Sequence, residues 1–382
     1  MINFKEFFRF FCDVTFAKNV YLDLSRRDTS LLKGVAILLV VFHNYWHNIS
    51  GAPLESEFFL RKHSLYEWLY QIIDKPWDFL HPTMSVFGVY GVHIFIFLSG
   101  YGLTKKILSL YEGRSASLYN VYCIIYGQIK KLLLLMFCGL GVVLLLRYFQ
   151  GFPIDSKLFN DFLRFLTFTT NLNSSTVFMF VSVWWFLPLI IQLYLVFPLA
   201  LKVVTKFPKS SLVGLLLLCI LCGYFNNAVI SNYKFYLFAT PIGQLLLFVL
   251  GIYFAKGYSI NPFWLFLGVL LFVPALTTKY LFGVSFVIIT LLVIFLFNTI
   301  KENVTGKCFT VLEWVGLNSM FIYITHGETR WSLLKVVNDS KYSWIQYVGF
   351  VGYLGVCLIV SFLCKQIYTL AHKYISRGRT AK

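Results

Sequence analysis

Long stretches without Asp, Glu, Lys or Arg recur along this chain, and they constrain its fold more than any other feature. Most contain about 20 residues, the length with which an α-helix crosses the ~30 Å apolar core of a bilayer. One stretch is interrupted by two adjacent lysines, and only the second half of another is mainly apolar. Together they predict an all-α membrane protein with about ten transmembrane helices in one bundle. The stretches are 34–54, 79–104, 115–146, 165–201, 210–233, 235–255, 257–278, 280–300, 314–327 and 342–364.

The composition agrees with a membrane location. Of the 382 residues, 58% are hydrophobic and only 13% are charged, which is about half the charged fraction of a soluble domain. We expect a cytoplasmic amphipathic segment at 1–28, a polytopic transmembrane domain at 29–375 and a basic cytoplasmic tail at 376–382. The amphipathic segment is predicted to lie on the membrane surface, because its apolar residues share one helical face. These residues are Phe4, Phe7, Phe8, Phe11 and Val14.

The formal net charge of +17 indicates membrane topology rather than nucleic-acid binding. If the N-terminus lies in the cytoplasm and the helices alternate in direction, most of the 33 Lys and Arg residues fall on the cytoplasmic side. This distribution follows the positive-inside rule. We therefore expect a multi-pass protein of the cell membrane, inner or plasma, with both termini cytoplasmic. Its basic side would contact anionic membrane lipids, and no nucleic-acid partner is expected.

The first charge-free stretch carries the candidate catalytic groups. It reads LLKGVAILLVVFHNYWHNIS from Leu31 to Ser50, and it contains His43 and His47. Ionisable residues inside a membrane are costly and usually functional, and histidine titrates in the range that a general base needs. The i, i+4 spacing of the two histidines would also suit a metal. No metal is expected, because the sequence shows no clustered Cys, Asp or Glu partner.

The chain also contains, in this order, the stretches LLKGVAILLVVFH, GVYGVHIFIFLSGYGLTKK, VWWFLPLIIQLYLVFP and WVGLNSMFIYITHG. From Leu31 to the C-terminus, they resemble the acyltransferase-3 superfamily of integral membrane acyltransferases. The resemblance implies an O-acyltransferase that moves an acyl group, most often acetyl, from cytoplasmic acyl-CoA. The acceptor would be a hydroxyl of a surface polysaccharide or a lipid-linked sugar precursor, and acetyl-CoA would be the donor substrate.

The resemblance also implies a basic residue and a catalytic histidine in the first helix. Lys33 and His43 are similar to this pair, but nine residues separate them where the family usually has ten. Asn44 stands in the usual place of the histidine. At ~100° per residue, Lys33, His43, Asn44 and His47 still fall within one arc of ~100°. We predict a catalytic group of His43, His47 and Asn44, with His43 as the general base and His47 as the alternative base.

Cations at the cytoplasmic ends of the helices are expected to hold the phosphates of acyl-CoA. The candidates are Lys33, Lys130 and Lys131. The two adjacent lysines stand where the family often has an Arg pair, and they could instead be anchors that snorkel to the membrane surface. Ser99 and Gly100 are expected to line the cofactor tunnel or to allow close helix packing. Ser99 is not predicted to be a nucleophile, because the Gly-x-Ser-x-Gly elbow is absent.

Two further histidines are candidates for binding the acceptor substrate. His93 lies in the second apolar stretch, toward its outer side, and His326 ends the ninth. For His93 the other interpretation is an interior histidine with satisfied hydrogen bonds. For His326 it is a cap at the membrane interface. The sequence leaves these alternatives open.

The main alternative function is that of a transporter or flippase of a lipid-linked glycan. Transporters often show two similar halves, and no such pair is found here. The polar residues instead cluster in one early helix, which favours an enzyme. The sequence leaves open the acceptor sugar and its hydroxyl, the length of the acyl group, a possible homodimer and a separate partner that completes the transfer.

Overall fold

The computed structural model describes residues 19–380 except 62, 112–115, 302–305 and 341–342. Within these residues the chain is helical and has no β-strand, apart from an isolated bridge between Val20 and Ile260. The predicted amphipathic helix with Phe4 and Phe11 lies outside the described residues. The α-helices are α1 (Arg26–Trp46), α2 (Ser64–Asp74), α3 (Leu80–Phe87), α4 (Gly91–Leu110), α5 (Leu118–Gln150), α6 (Ser156–Phe165), α7 (Phe186–Lys206), α8 (Pro208–Tyr233), α9 (Pro241–Ala255), α10 (Pro262–Thr277), α11 (Phe282–Ile300), α12 (Lys307–Leu317), α13 (Ser319–Thr329), α14 (Trp331–Asn338) and α15 (Ser343–Thr380).

The all-α membrane fold is confirmed, but the helices long enough to cross a membrane number seven in the described part of the chain. An eighth span is formed if α12 and α13 are counted together, since they are bent by 78° at a break. The other two predicted stretches form α9 and α10, which have only 15 and 16 residues. At 1.5 Å per residue such helices extend only ~22–24 Å. The seven long spans are Arg26–Trp46, Leu80–Leu110, Leu118–Gln150, Ser182–Lys206, Pro208–Tyr233, Lys279–Ile300 and Trp344–Ile375.

The centre of the bundle is formed by α1 and α4, which pack against each other and against α9, α12 and α13. A capping box starts α1, because Ser25 accepts from the Asp28 amide while Asp28 accepts from the Ser25 amide. The contact between α4 and α9 requires glycine on both sides. A Cβ at Gly100 would overlap the Phe248 carbonyl, and a Cβ at Gly251 would overlap the Phe97 carbonyl.

The two ends of the bundle differ in their charges. We call one end the basic end, where α1 begins and where α4 and α11 end. Here Lys and Arg side chains pair across the helix ends through Lys105–Asp23 at 2.8 Å, Arg27–Glu313 at 3.3 Å and Lys301–Asp28 at 3.5 Å. We call the opposite end the histidine end, where α1 finishes at Trp46. It holds a partly buried ion pair, Arg147–Glu328 at 3.0 Å, and the loop that precedes α2.

Candidate functional site

Two cavities border α1, one toward each end of the bundle. The basic cavity has a volume of about 480 Å³ and lies toward the basic end. The histidine cavity has a volume of only about 10 Å³ and lies toward the histidine end. Lys33 lines the first and His43 lines the second. The remaining residues of the histidine cavity are Val40, Asn44, Glu57, Val89, Val92, Val183, Trp185 and Tyr323.

Three lysines from three helices line the basic cavity. Lys33 projects from α1, Lys106 from α4 and Lys131 from α5. Ser99 also lines it and interacts with the hydroxyl of Tyr194, a cavity residue of α7. Cations that converge from three helices, together with the hydroxyl groups of Ser99 and Tyr194, form a cavity suited to a phosphorylated ligand with an uncharged arm.

The other two predicted cofactor-binding residues do not line this cavity. Lys130 is exposed, and its ammonium group lies 4.0 Å from the centre of the Tyr126 ring. Because adjacent residues of a helix point ~100° apart, only Lys131 of the two faces the cavity. Gly100 is buried where α4 meets α9, so it serves close helix packing against Phe248.

The His43 ring is held in one tautomer. The side chain is 4% exposed, and its Nδ1 lies 2.9 Å from the carbonyl oxygen of Ser85. A carbonyl can only accept a hydrogen bond, so Nδ1 carries the proton and Nε2 of the neutral ring has a free lone pair. This arrangement, with one nitrogen fixed by a carbonyl and the other left basic, is what a general base requires.

Ser85, which is fully buried on α3, holds both candidate histidines. Its hydroxyl donates to the Pro53 carbonyl at 2.8 Å, and its hydroxyl oxygen lies 3.4 Å from Nδ1 of His47. The two imidazole rings stack with their centres 4.9 Å apart. His47 does not line the histidine cavity, so the structure places only His43 of the pair there.

Asn44 is fixed by a buried arginine. Arg330 donates through Nη1 to Oδ1 of Asn44 at 2.7 Å and through Nη2 to the Ser182 hydroxyl at 2.9 Å. The Arg330 side chain is 4% exposed, and its Nε has no hydrogen-bond partner. A buried cation with an unpaired N–H is costly. Arg330 lines neither cavity, so it acts on the site through Asn44.

Glu57 brings a carboxyl group to the same cavity from the loop before α2. Its Oε2 is shielded from solvent and has no hydrogen-bond partner. Burial raises the pKa of Glu57 to about 7, and the nearby positive charge of Arg330 opposes the increase. Burial, and then the charge of Glu57, also raise the pKa of Glu55 well above its usual range. Glu57 can therefore gain or lose a proton near neutral pH.

The two histidines predicted to bind the acceptor lie elsewhere. His93 stacks on the Phe286 ring at 3.9 Å between centres, and neither of its ring nitrogens has a partner. His326 is buried in α13 with Nδ1 2.8 Å from the Tyr323 carbonyl. Neither lines the basic or the histidine cavity.

The structure also adds residues that the sequence analysis did not assign. Lys106 follows Ser99 by seven residues, and this two-turn helical spacing was a signal that could have identified it. Ser85, Glu57 and Arg330 reach the site from a loop or from helix ends, where no periodicity marks them. Among the described residues no group of three or more His, Cys, Asp or Glu could hold a metal ion.

The chain was compared with known families, curated proteins and solved structures. The sequence model of the acyltransferase-3 family, described as an acyltransferase domain, matches residues 20–365. No curated protein and no solved structure matches. The match covers most of the 382 residues, including α1, the histidine cavity, all of the basic cavity except Tyr368, and the bent pair α12–α13. The chain therefore belongs to the acyltransferase-3 family, and it is a membrane acyltransferase.

Proposed function

We propose that this protein transfers an acetyl group from acetyl-CoA to a hydroxyl of a surface polysaccharide or of a lipid-linked sugar precursor. One observation carries the proposal. The same helix, α1, presents a lysine to a wide basic cavity and a histidine with a free Nε2 to a small cavity further along. A donor with phosphates could bind at one end while its reactive carbon reaches the base at the other.

The basic cavity is proposed to bind the CoA part of the donor. Its ~480 Å³ volume falls within the range of ordinary small-molecule sites. Lys33, Lys106 and Lys131 supply point charges for phosphate groups. We assign the basic end to the cytoplasmic side, where acyl-CoA is expected, so both chain termini would be cytoplasmic.

His43 is proposed to act as the general base. Nε2 removes the proton from the acceptor hydroxyl as its oxygen attacks the thioester carbonyl. The new ester C–O bond forms, the C–S bond breaks, and the proton passes from the imidazolium to the departing thiolate to give free CoA. Ser85 keeps Nδ1 protonated and fixes the ring, so Nε2 both removes the proton from the acceptor and gives it to the thiolate.

Glu57 and Arg330 are proposed to support this step. The carboxylate of Glu57 borders the cavity of His43 and would stabilise the imidazolium that forms there. Arg330 lines neither cavity and supports the site by holding Asn44, which lines the histidine cavity. His93 and His326, earlier candidates for acceptor binding, are not included in the proposed site.

A transporter or flippase is the second candidate. The histidine cavity, at about 10 Å³, holds no more than a group of the size of a water molecule. A glycan could not cross the bundle there without a large rearrangement, whereas a thioester needs to bring only its acyl group to His43. The geometry therefore favours the enzyme.

The test is transfer of radiolabelled acetyl from acetyl-CoA to the host's surface glycans by purified protein in proteoliposomes. We expect alkali-labile label in the glycan, as an O-ester gives, and loss of that ester from the glycans of a host that lacks this gene. Glycan translocation that needs no acetyl-CoA, with no label transferred, would support the transporter instead.

A further inference from the structure

The two cavities are separated by a single layer of side chains. On α4, Val92 lines the histidine cavity and Phe95, less than one turn later, lines the basic cavity. At the start of α7, Trp185 lines the histidine cavity and the next residue, Phe186, lines the basic cavity. On α13, Tyr323 lines the histidine cavity, two residues after the basic-cavity residue Phe321. Three chain segments thus pass from one cavity to the other within one turn.

Three aromatic side chains form this layer, which we call the ring layer: Phe95, Phe186 and Tyr323. The ring of Phe186 has its centre 6.4 Å from that of Phe95 and 5.5 Å from that of Tyr323. All three are buried, and the Tyr323 hydroxyl donates to the Val183 carbonyl. The three rings therefore lie where the lining of one cavity gives way to the lining of the other.

The space behind the ring layer is small and partly apolar. Val40, Val92 and Val183 line the histidine cavity together with His43. Its volume of about 10 Å³ corresponds to one small group, which is the size of the methyl of an acetyl group. The acyl end of the donor enters this space ahead of the thioester. The end of a longer acyl chain would therefore have to displace the valines or the acceptor.

We propose that the ring layer and the histidine cavity behind it select a two-carbon acyl group, with the three rings admitting the acetyl end of the donor and holding back longer chains. This inference rests on the proposed function, because it assumes that acyl-CoA enters from the basic cavity. It identifies Phe95 and Phe186 as specificity-determining residues and the ring layer as the barrier that keeps water at the histidine end away from the thioester.

The experiment measures CoA release with acetyl-, butyryl- and hexanoyl-CoA in proteoliposomes, with and without a mixture of simple methyl glycosides as acceptors. Since one methylene in an apolar pocket changes kcat/KM by about 10–200-fold, we expect the wild-type protein to favour acetyl-CoA over hexanoyl-CoA by at least ~100-fold. Phe186→Ala and Phe95→Ala should reduce that preference to less than ~10-fold and should raise CoA release in the absence of glycoside.

Phe97→Ala is the matched control. Phe97 is a fully buried ring of α4 that packs against Tyr101 and Phe254 and lines neither cavity. It should lose as much stability as Phe95→Ala and keep the preference for acetyl-CoA. If the alanine variants do not accumulate in the membrane, Phe186→Leu and Phe95→Leu make the same comparison with less lost volume.

The outcomes separate the two claims. An acyl-length profile that is the same in the wild-type protein and in the Phe186 variants would overturn the ring layer and leave the proposed function standing. Equal use of hexanoyl- and acetyl-CoA by the wild-type protein would do the same. No turnover of any acyl-CoA by the wild-type protein would overturn the proposed function, and the selector with it.

Discussion

The basic cavity and the histidine cavity border the same helix, but they are built differently. In the basic cavity the lysines carry their charges on long flexible side chains, two of which are exposed. In the histidine cavity His43 is buried, Asn44 and Glu57 are partly buried, and two of these groups are held: Ser85 fixes His43, and Arg330 fixes Asn44. The difference matches the chemistry expected at each place. A phosphate is attracted by point charges over several ångströms, whereas proton transfer requires a fixed nitrogen at hydrogen-bond distance.

The comparison predicts that the largest loss of activity follows from removing the base. His43→Ala should lower kcat by about 10²–10⁴-fold, the usual contribution of general-base catalysis, with little change in the KM for acetyl-CoA. His47→Ala is the matched control, because it removes the stacked neighbour that does not line the cavity, and it should lose much less. Rates of label transfer in proteoliposomes measure both. A larger loss in His47→Ala would assign the base to His47.

The next largest effect is expected at Glu57, and it depends on pH. If the carboxylate stabilises the imidazolium, the rate should rise with pH as Glu57 loses its proton around its pKa of about 7. Glu57→Gln should lower kcat by roughly tenfold and should remove this step from the pH–rate profile. Glu67→Gln on α2, outside both cavities, is the control. A profile that keeps the step near pH 7 in Glu57→Gln would exclude this role.

A smaller effect should distinguish the two adjacent lysines. Lys131→Gln should raise the KM for acetyl-CoA about five- to tenfold with nearly constant kcat, because it removes ground-state binding of a phosphate. Lys130→Gln should leave KM unchanged, since its ammonium group lies over the Tyr126 ring instead of the cavity. Equal effects in the two variants would mean that the basic cavity does not hold the phosphates.

The smallest effect is expected at His93. Its ring nitrogens have no partners, and its ring stacks on Phe286 outside both cavities. His93→Phe keeps the stacking and removes two buried polar atoms, so the transfer rate should be unchanged and the thermal unfolding midpoint equal or higher. A fluorescence-based thermal melt together with the transfer assay measures both. A strong loss of transfer would restore His93 as an acceptor-binding residue.

How much of the molecule the sequence could predict depends on the kind of signal. The apolar stretches predicted where the helices lie, because hydrophobic length is a local property. They could not predict that α9 and α10 are too short to span alone, nor the 78° bend between α12 and α13. These features depend on short turns such as Leu237–Ala239, which precede or interrupt the helices. Because such turns contain no charged residue, the charge-free stretches do not reveal them.

The site divides in the same way. Helical spacing identified Lys33, His43 and Asn44 as candidates, because they lie on one helix. The partners that fix His43 and Asn44, which are Ser85 and Arg330, are distant in sequence and become neighbours only when the bundle packs. The sequence also could not separate Lys130 from Lys131. Adjacent helical residues point ~100° apart, but which of the two faces the cavity is decided only when the surrounding helices pack.

The central claim is that the donor enters from the basic end and reacts at His43. Sealed proteoliposomes with acetyl-CoA added only to the outside test it most directly. Labelling of the exposed Cys123 and Cys308, at the basic ends of α5 and α12, with an impermeant maleimide measures in parallel samples the fraction of molecules whose basic end faces out. We predict that the rate of CoA release is proportional to the labelled fraction. A rate proportional to the unlabelled fraction would show that the donor enters from the histidine end and would contradict this account.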